Sequence, residues 1–378
     1  MIKLYALLIS ILLIQTTLLA KEKKKETYPS YKAGFQIVTD AAWFMHEKQT
    51  TENQEIRRAR LYLKGKLLKS LAYEVEYSLT AGGKWKDLYL IYSALPNDLV
   101  LTLGHTKEPF GLEALTSSKY NTFMERALPD MFISDRKLGL LLEWEEHQKN
   151  DYGYGASIGL FGPSINDLDG KDGKDGKHSL AARAYHATYL NKKSFIHVGL
   201  SGAYNNIGDQ KLKLSTRAES HQGSKILKSK IAYTDYTLRY GIEAVYQNGP
   251  FSLQSEYLYD SITTIQDASY NFSGWYAQAS YFFTDDARRY KLKEGVYGRI
   301  KPAHPVGKDG IGAWEGALRI SNVNLNNHDK TDGEAYEYTV GLNWYLIENM
   351  RVMANYITTD LGAIETPQII QLRLQYDF

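Results

Sequence analysis

The chain is predicted to be all-β: a transmembrane, antiparallel, up-and-down β-barrel of about sixteen strands with its third outer loop folded inward. Three observations predict it. Sixteen segments alternate apolar and polar residues with a period of two, so each strand presents its faces to different surroundings. The polar faces carry charge at mid-strand, which is costly in a dry core and cheap beside water. The connections between segments are alternately short and long, as in a barrel with short turns at one rim and longer loops at the other.

At the start of the chain, Lys3 is followed by an apolar run, Leu4 to Ile14, and a polar-to-small exit at Thr16 to Ala20. This reads as an export leader over residues 1–20, cut near Ala20 and too short to span a bilayer. Lys21 to Glu26 is a charged, solvated start to a short periplasmic segment, 21–32, and the barrel is expected over 33–378. Beyond the leader no run of 18 or more apolar residues occurs, so no membrane helix is expected.

The clearest strands set the standard. Tyr73, Val75, Tyr77 and Leu79 alternate with Glu74, Glu76, Ser78 and Thr80, and Ile370, Leu372, Leu374 and Tyr376 alternate with Gln371, Arg373, Gln375 and Asp377. Apolar faces begin or end on aromatics such as Trp43, Tyr77, Trp144, Tyr281, Trp314 and Trp344, as an aromatic girdle requires. The chain holds 30 tyrosines against 12 phenylalanines, and a ring with a polar tip suits the edge of a lipid layer. Mid-strand charges on the polar faces include Lys64, Glu76, Arg239, Glu243, Glu256 and Arg319, expected to meet water in the lumen.

Short turns are expected at Leu68–Ser70, Pro96–Asp98, His147–Asp151, Asn191–Lys193, Asn248–Pro250 and Glu348–Asn349. Long loops are expected at Met45–Glu55, Lys107–Arg136, Pro163–His178, Asn206–Tyr236 and Asn326–Gly333. Asp285–Ile311 departs from the phase: it is long yet falls among the short turns, and is read as an ordered turn. Lys107–Arg136 breaks the strand period while carrying Phe110, Leu112, Phe123, Met124, Leu128 and Phe132. A long apolar stretch of this kind packs rather than wanders, which points to a loop narrowing the lumen.

Several classes of function are excluded. Without cysteine there is no disulfide, thiolate metal site or cysteine nucleophile. A net charge of +2 does not suggest nucleic acid. The nine histidines show no metal-ligand spacing, DLDGKDGKDGKH (Asp167–His178) lacks the final Glu of a calcium loop, and no nucleophile constellation appears. No enzyme activity, metal or cofactor is expected; the contents are those of a water-filled channel.

In a channel the charges at the narrowest level matter most. In RRARLYLKGKL, Leu61, Leu63 and Leu67 fix the lipid side, which turns Arg58, Arg60, Tyr62, Lys64 and Lys66 inward. Two readings stay open: a basic column for anions, or charge balance against Glu74 and Glu76. Arg58 and Arg60 are expected to lie beyond the reach of those two carboxylates. Residues 206–236 hold six basic side chains against three acidic ones, and Lys211, Lys213 and Arg217 recur at even spacing in KLKLSTR, a possible ladder or a solvated loop. In the inward stretch, Thr116, Ser117, Ser118 and Lys119 offer hydroxyls and one cation to an oxyanion, or simply form turns.

RRARLYLKGKL, GHTKEPFGLEALTSSKYNTFMERALP, GPFSLQSEY, GAWEGALR, GLNWYL and the terminal QYDF resemble the phosphate-selective porin O and P family of Gram-negative outer membranes. The resemblance implies a homotrimer of sixteen-stranded barrels in outer-membrane lipid. It also implies an arginine ladder, here falling to Lys213 and Arg217, and a basic constriction at Arg58, Arg60 and Lys119. It implies passage of small inorganic anions such as phosphate. Lysines stand where arginines are expected, and lysine lacks the bidentate fork. The alternative is a general-diffusion pore with weak selectivity, since Glu74, Glu76, Glu243, Glu256 and Glu315 are also expected to point inward.

Overall fold

The computed structural model describes residues 27–46, 50–80, 82–148, 151–168, 176–191, 193–307, 310–327, 330–362 and 366–378. The leader and Lys21–Glu26 lie outside the described residues, as does most of the Asp167–His178 loop.

Sixteen antiparallel strands close into one barrel. They are β1 (Lys32–Met45), β2 (Thr50–Leu68), β3 (Leu71–Ser78), β4 (Lys84–Tyr92), β5 (Val100–Lys107), β6 (Arg136–Gln148), β7 (Tyr152–Phe161), β8 (His178–Asn191), β9 (Ser194–Arg217), β10 (Lys225–Asn248), β11 (Phe251–Thr264), β12 (Ser269–Phe282), β15 (Ala313–Asn327), β16 (Lys330–Ile347), β17 (Met350–Asp360) and β18 (Gln368–Asp377). A small hairpin, β13 (Tyr290–Lys291) with β14 (Val296–Tyr297), lies between β12 and β15. Closure is made by β1 on β18, with Gln36 opposite Asp377 and Met45 opposite Gln368, so no edge is left unpaired.

The faces follow the alternation. Leu138, Leu160, Leu200, Leu318, Val340 and Leu372 are exposed on the outside, while Gln371, Arg373, Gln375 and Asp377 are buried on the inside. Trp314 stacks on Trp344, with ring centroids 5.1 Å apart, and Tyr77 meets Trp85 edge-on at 5.0 Å.

Three connections turn into the barrel. The first is 108–135, which contains an α-helical turn, Leu112–Leu115, and a 3-10 turn, Leu128–Phe132, and packs Phe110, Leu128, Met131, Phe132 and Ile133 against inward apolar groups such as Leu258, Phe272 and Val323. Gly341 on β16 leaves room for it: a Cβ there would lie 2.9 Å from the Phe123 ring. The second is 218–224, the tip of the β9–β10 hairpin, where Ala218 packs with Ala42, Phe44, Ile357 and Ile369 on the far wall.

The third is 283–312. Its Tyr290, Val296 and Tyr297 form a cluster with Leu112, Phe195 and Val245, and Arg288 Nη2 donates to the carbonyl of Tyr120 at 2.7 Å. The expectation of an ordered turn there is corrected: the apolar residues bury inside the barrel, not along its rim.

Two long loops are corrected as well. Strand β2 begins at Thr50, inside the stretch expected to be a loop to Glu55. Most of 206–236 is strand, because Leu212, Leu214, Leu227 and Ile231 continue the inward apolar row of β9 and β10 beyond the barrel rim. The expectation that the mid-strand charges face an open lumen is also corrected for four of the six. Arg239, Glu243, Glu256 and Arg319 are each no more than 3% exposed; Arg239, Glu256 and Arg319 bond to the inward segments, and Glu243 to Arg183 of β8 and His197 of β9.

Candidate functional site

The inward segments fill one side of the lumen and leave a cavity of about 1120 Å³ on the other. Its wall residues come from β2 to β8, with the outer ends of β9 and β10 above, and from the inward stretch 115–136 opposite. Arg217, His221 and Lys225 stand at the long-loop end, and Lys291, Lys293 and Glu294 at the short-turn end.

Strand β2 carries the basic column. Its register on β1 passes from Val38 opposite Arg58 to Thr39 opposite Ile56, so Arg57 is the extra residue of a bulge. Arg57, Arg58, Arg60 and Lys64 therefore all line the cavity, and Arg58 to Lys64 covers about 20 Å of strand. The alternation alone had assigned Arg57 to the other face; paired arginines beside a β-branched Ile56 give no sign of a bulge.

The partners of these cations differ. Arg57 holds Glu125 through both arms of its fork, Nε to Oε1 at 2.8 Å and Nη2 to Oε2 at 2.9 Å. Arg58 touches the same carboxylate only at 3.7 Å. Its Nε and Nη1 are buried with no hydrogen-bond partner, and the residue is 7% exposed. Arg60 Nη1 donates to Glu76 Oε1 at 2.9 Å. The expectation that Arg60 lies beyond that carboxylate is thus corrected: Tyr62 is opposite Glu76, and the arginine side chain spans the diagonal.

Lys119 faces this column from the inward stretch. Its Nζ lies 4.6 Å above the Tyr62 ring and makes no ion pair among the described residues. Ser117 and Ser118 line the same cavity, with their hydroxyls unpartnered among the described residues. Burial holds Lys119 below the usual lysine range, with Asp377 and Glu76 opposing.

Glu125 is pulled the other way. Burial would raise it, but Arg57, Arg58 and Arg373 hold it well below the usual carboxylate range. Across the cavity stand Glu74, Glu76 and Asp87, their carboxylate atoms within 4.8 Å of one another. Arg136 takes Asp87 in a two-armed pair at 2.7 and 2.9 Å, and Arg60 takes Glu76, so two of the three are already neutralised.

Of the residues singled out in the sequence, Arg58, Arg60, Lys119, Ser117, Ser118 and Arg217 line this one cavity. Arg217 sits at its mouth, with Nη1 donating to the carbonyl of Gly223. Lys213 does not join them. It is exposed on the outer face of β9, while Leu212 and Leu214 take the inner face, so a ladder through Lys211 and Lys213 is corrected.

The filled side uses cations differently. Five donors on the wall and Arg288 of the 283–312 segment hold six carbonyls within residues 119–125. Gln375 donates to Lys119 at 3.2 Å, Arg288 to Tyr120 at 2.7 Å, Arg351 to Asn121 at 2.8 Å, Asn343 to Thr122 at 2.9 Å and Arg319 to Glu125 at 3.0 Å, and Arg373 donates to Met124. At the start of the stretch Glu108 accepts from Lys137 at 3.0 Å and from Arg239 at 3.1 Å. Burial alone would raise Glu108, but these two cations pull it down to about 2. The spacing of these arginines along their strands does not distinguish them from the basic column.

A closed sixteen-stranded barrel with apolar outer faces, aromatic girdles and a charged cavity running through it is an outer-membrane pore. The family model for the phosphate-selective porin O and P family matches residues 31–378, and the chain belongs to that family. It is an outer-membrane porin of the Gram-negative type.

Among relatives, it is 25% identical to Porin O of Pseudomonas aeruginosa, over 89% of this chain and 84% of that one. It is 28% identical to an uncharacterised protein of Caulobacter vibrioides over 80% of this chain, and spans 62% of that protein's length. Among solved structures, the barrel matches an anion-selective porin from Comamonas acidovorans with a TM-score of 0.57 at 14% identity, covering 92% of this chain and 99% of that one. It matches the trimer form of OmpT from Vibrio cholerae with a TM-score of 0.57 at 11% identity, covering 92% and 99%.

Proposed function

We propose that the pore passes phosphate or a related oxyanion passively, and that Arg58 is where the anion dwells, with Lys119, Ser117, Ser118 and Arg60 completing its surroundings. The observation that carries this reading is the pair of buried, unpartnered N–H groups on Arg58 in the wall of the cavity. A buried donor without an acceptor is costly, and an oxyanion supplies two or more acceptors in the geometry a guanidinium favours. Arg217 would collect anions at the mouth, and Lys64, Lys291 and Lys293 would pass them on, since conduction requires several weak sites.

The test is chloride current through the purified protein in a planar bilayer, with phosphate added to one side. Block of the current by low phosphate supports the reading. A weak or cation-leaning reversal potential without block favours a general-diffusion pore, the second reading, for which the facing carboxylates Glu74, Glu76 and Asp87 are the supporting observation.

Assembly as a homotrimer is part of the same proposal. Strands β3, β4 and β5 have 8, 9 and 8 residues against 24 in β9 and β10, and expose Leu88, Leu90 and Leu103 on this low wall. Residues 1–20 are proposed as a removed leader, so that amino-terminal sequencing of protein from outer membranes should begin near Lys21.

A further inference from the structure

The lysines that the lumen does not use form a patch of their own. Lys211 and Lys213 on β9 and Lys228 and Lys230 on β10 are all exposed on the outer face of the hairpin. Lys213 is directly opposite Lys230, and Lys228 is opposite Ser215. None of the four has an ion-pair partner among the described residues. Like charges directly opposed across an antiparallel pair destabilise it, and no described side chain offsets this pair. The nearest acids along the strands, Asp209 and Asp235, lie where the register shifts, on the membrane side of the lysines.

The position of the patch identifies what it faces. Below it on the same outer surface are Ile196, Val198, Leu200 and Ile242, all exposed, and then a belt of tyrosines. In that belt Tyr204 packs on Tyr236 with centroids 5.6 Å apart, and Tyr233 and Tyr240 are exposed beside them. Such a belt marks the lipid–water boundary. Lys230 precedes Tyr233 by three residues and Lys228 by five, farther out along β10. At about 3.3 Å per residue and a tilt of about 40°, that places them roughly 8–13 Å beyond the ring. The polar layer of a bilayer is about 5–7 Å deep on each side of its core, so a lysine side chain reaches back into it.

We propose that Lys211, Lys213, Lys228 and Lys230 bind the phosphates of the glycolipid in the outer leaflet, seating the tall β9–β10 wall in the membrane surface. The partner is a lipid headgroup and not the solute, because Leu212 and Leu214, each no more than 3% exposed, separate this face from the lumen. Basic clusters beside a membrane surface gain most of their affinity from such anionic headgroups.

The test uses the full-length protein in detergent, titrated with bisphosphorylated lipid A, with the same lipid stripped of its phosphates, and with inorganic phosphate as competitor. The variant Lys228→Glu with Lys230→Glu is compared with a charge-matched pair at the opposite rim, Lys69→Glu with Lys193→Glu. Heat-dependent gel migration checks that each barrel is folded.

Binding of the phosphorylated lipid should fall about tenfold or more in the Lys228/Lys230 variant and on removal of the phosphates, and should be retained in the Lys69/Lys193 variant. Lys213→Ala with Lys230→Ala provides a second reading should the first variant misfold. Equal binding by folded wild type and variant, equal binding of the stripped lipid, or displacement of the lipid by inorganic phosphate would each overturn the proposal.

Discussion

Arg58 and Arg373 both point inward from the barrel wall, and both approach Glu125, yet they occupy different surroundings. Arg373 is saturated: Nε and Nη2 hold Asp40 at 2.7 Å each, Nη2 also holds Glu125 at 2.6 Å, and Nη1 holds the carbonyl of Met124. Arg58 has one contact at 3.7 Å and two unpartnered buried N–H groups. The same contrast separates the two sides of the lumen. On the filled side, arginines bind protein and fix the inward stretch; on the open side, at least one is left to bind something else. Whether an inward arginine serves a solute is decided by its partners and not by its direction.

If that division holds, the largest stability effects come from the filled side. Arg319 joins Glu113 of the inward stretch at 3.3 Å, Glu125 through its carbonyl and Glu219 of the hairpin tip. Arg319→Ala leaves two buried carboxylates without their cation and should cost about 3–5 kcal/mol, read as a lower unfolding temperature of the barrel. Noisier single-channel current should accompany it, as the inward stretch and the hairpin tip both lose an anchor.

Glu108 supplies a pH-dependent version of the same test. Its folded value of about 2 lies below the ordinary carboxylate value, so its contribution is complete above about pH 4.5 and is lost as pH falls through 2. The loss amounts to roughly 3 kcal/mol. Glu108→Gln should flatten thermal stability over that window, and an unchanged pH profile would show that the Lys137 and Arg239 contacts do not hold the loop.

On the open side the expected signature is reversed. Arg58→Ala removes no strong partner and should change stability by less than about 1 kcal/mol, while clearly lowering anion-over-cation permeability. Lys64→Ala, lower in the column and solvated, should produce the smallest shift. A unit charge about 4 Å from an ion in water is worth only about 1 kcal/mol, roughly a fivefold preference, and less under salt.

The wall was legible in the sequence because alternation is local. Leu61, Leu63 and Leu67 oriented β2, the short turns set the phase, and the broken period at Lys107–Arg136 marked the segment lying inside. Contents of the lumen were not legible, since they depend on contacts between distant parts of the chain. Arg373 meets Asp40 across 333 residues, and Arg319 meets Glu113 across 206. No spacing rule connects such pairs.

The same limit explains the three misassigned cations. Arg60 reaches Glu76 because a long side chain spans a diagonal that register alone treats as out of range. Lys213 faces outward because Leu212 and Leu214 find apolar partners inside. Arg57 was concealed by the bulge, which adds one residue and puts adjacent arginines in the same cavity.

The most direct test of this account is the reversal potential of the double variant Arg58→Ala with Arg60→Ala in a planar bilayer under a KCl gradient, against wild type. A folded double variant whose potential moves towards cation selectivity is the predicted result. A folded double variant with the wild-type potential would contradict the assignment of the basic column to the solute, and would leave those arginines, like Arg373, as internal charge balance.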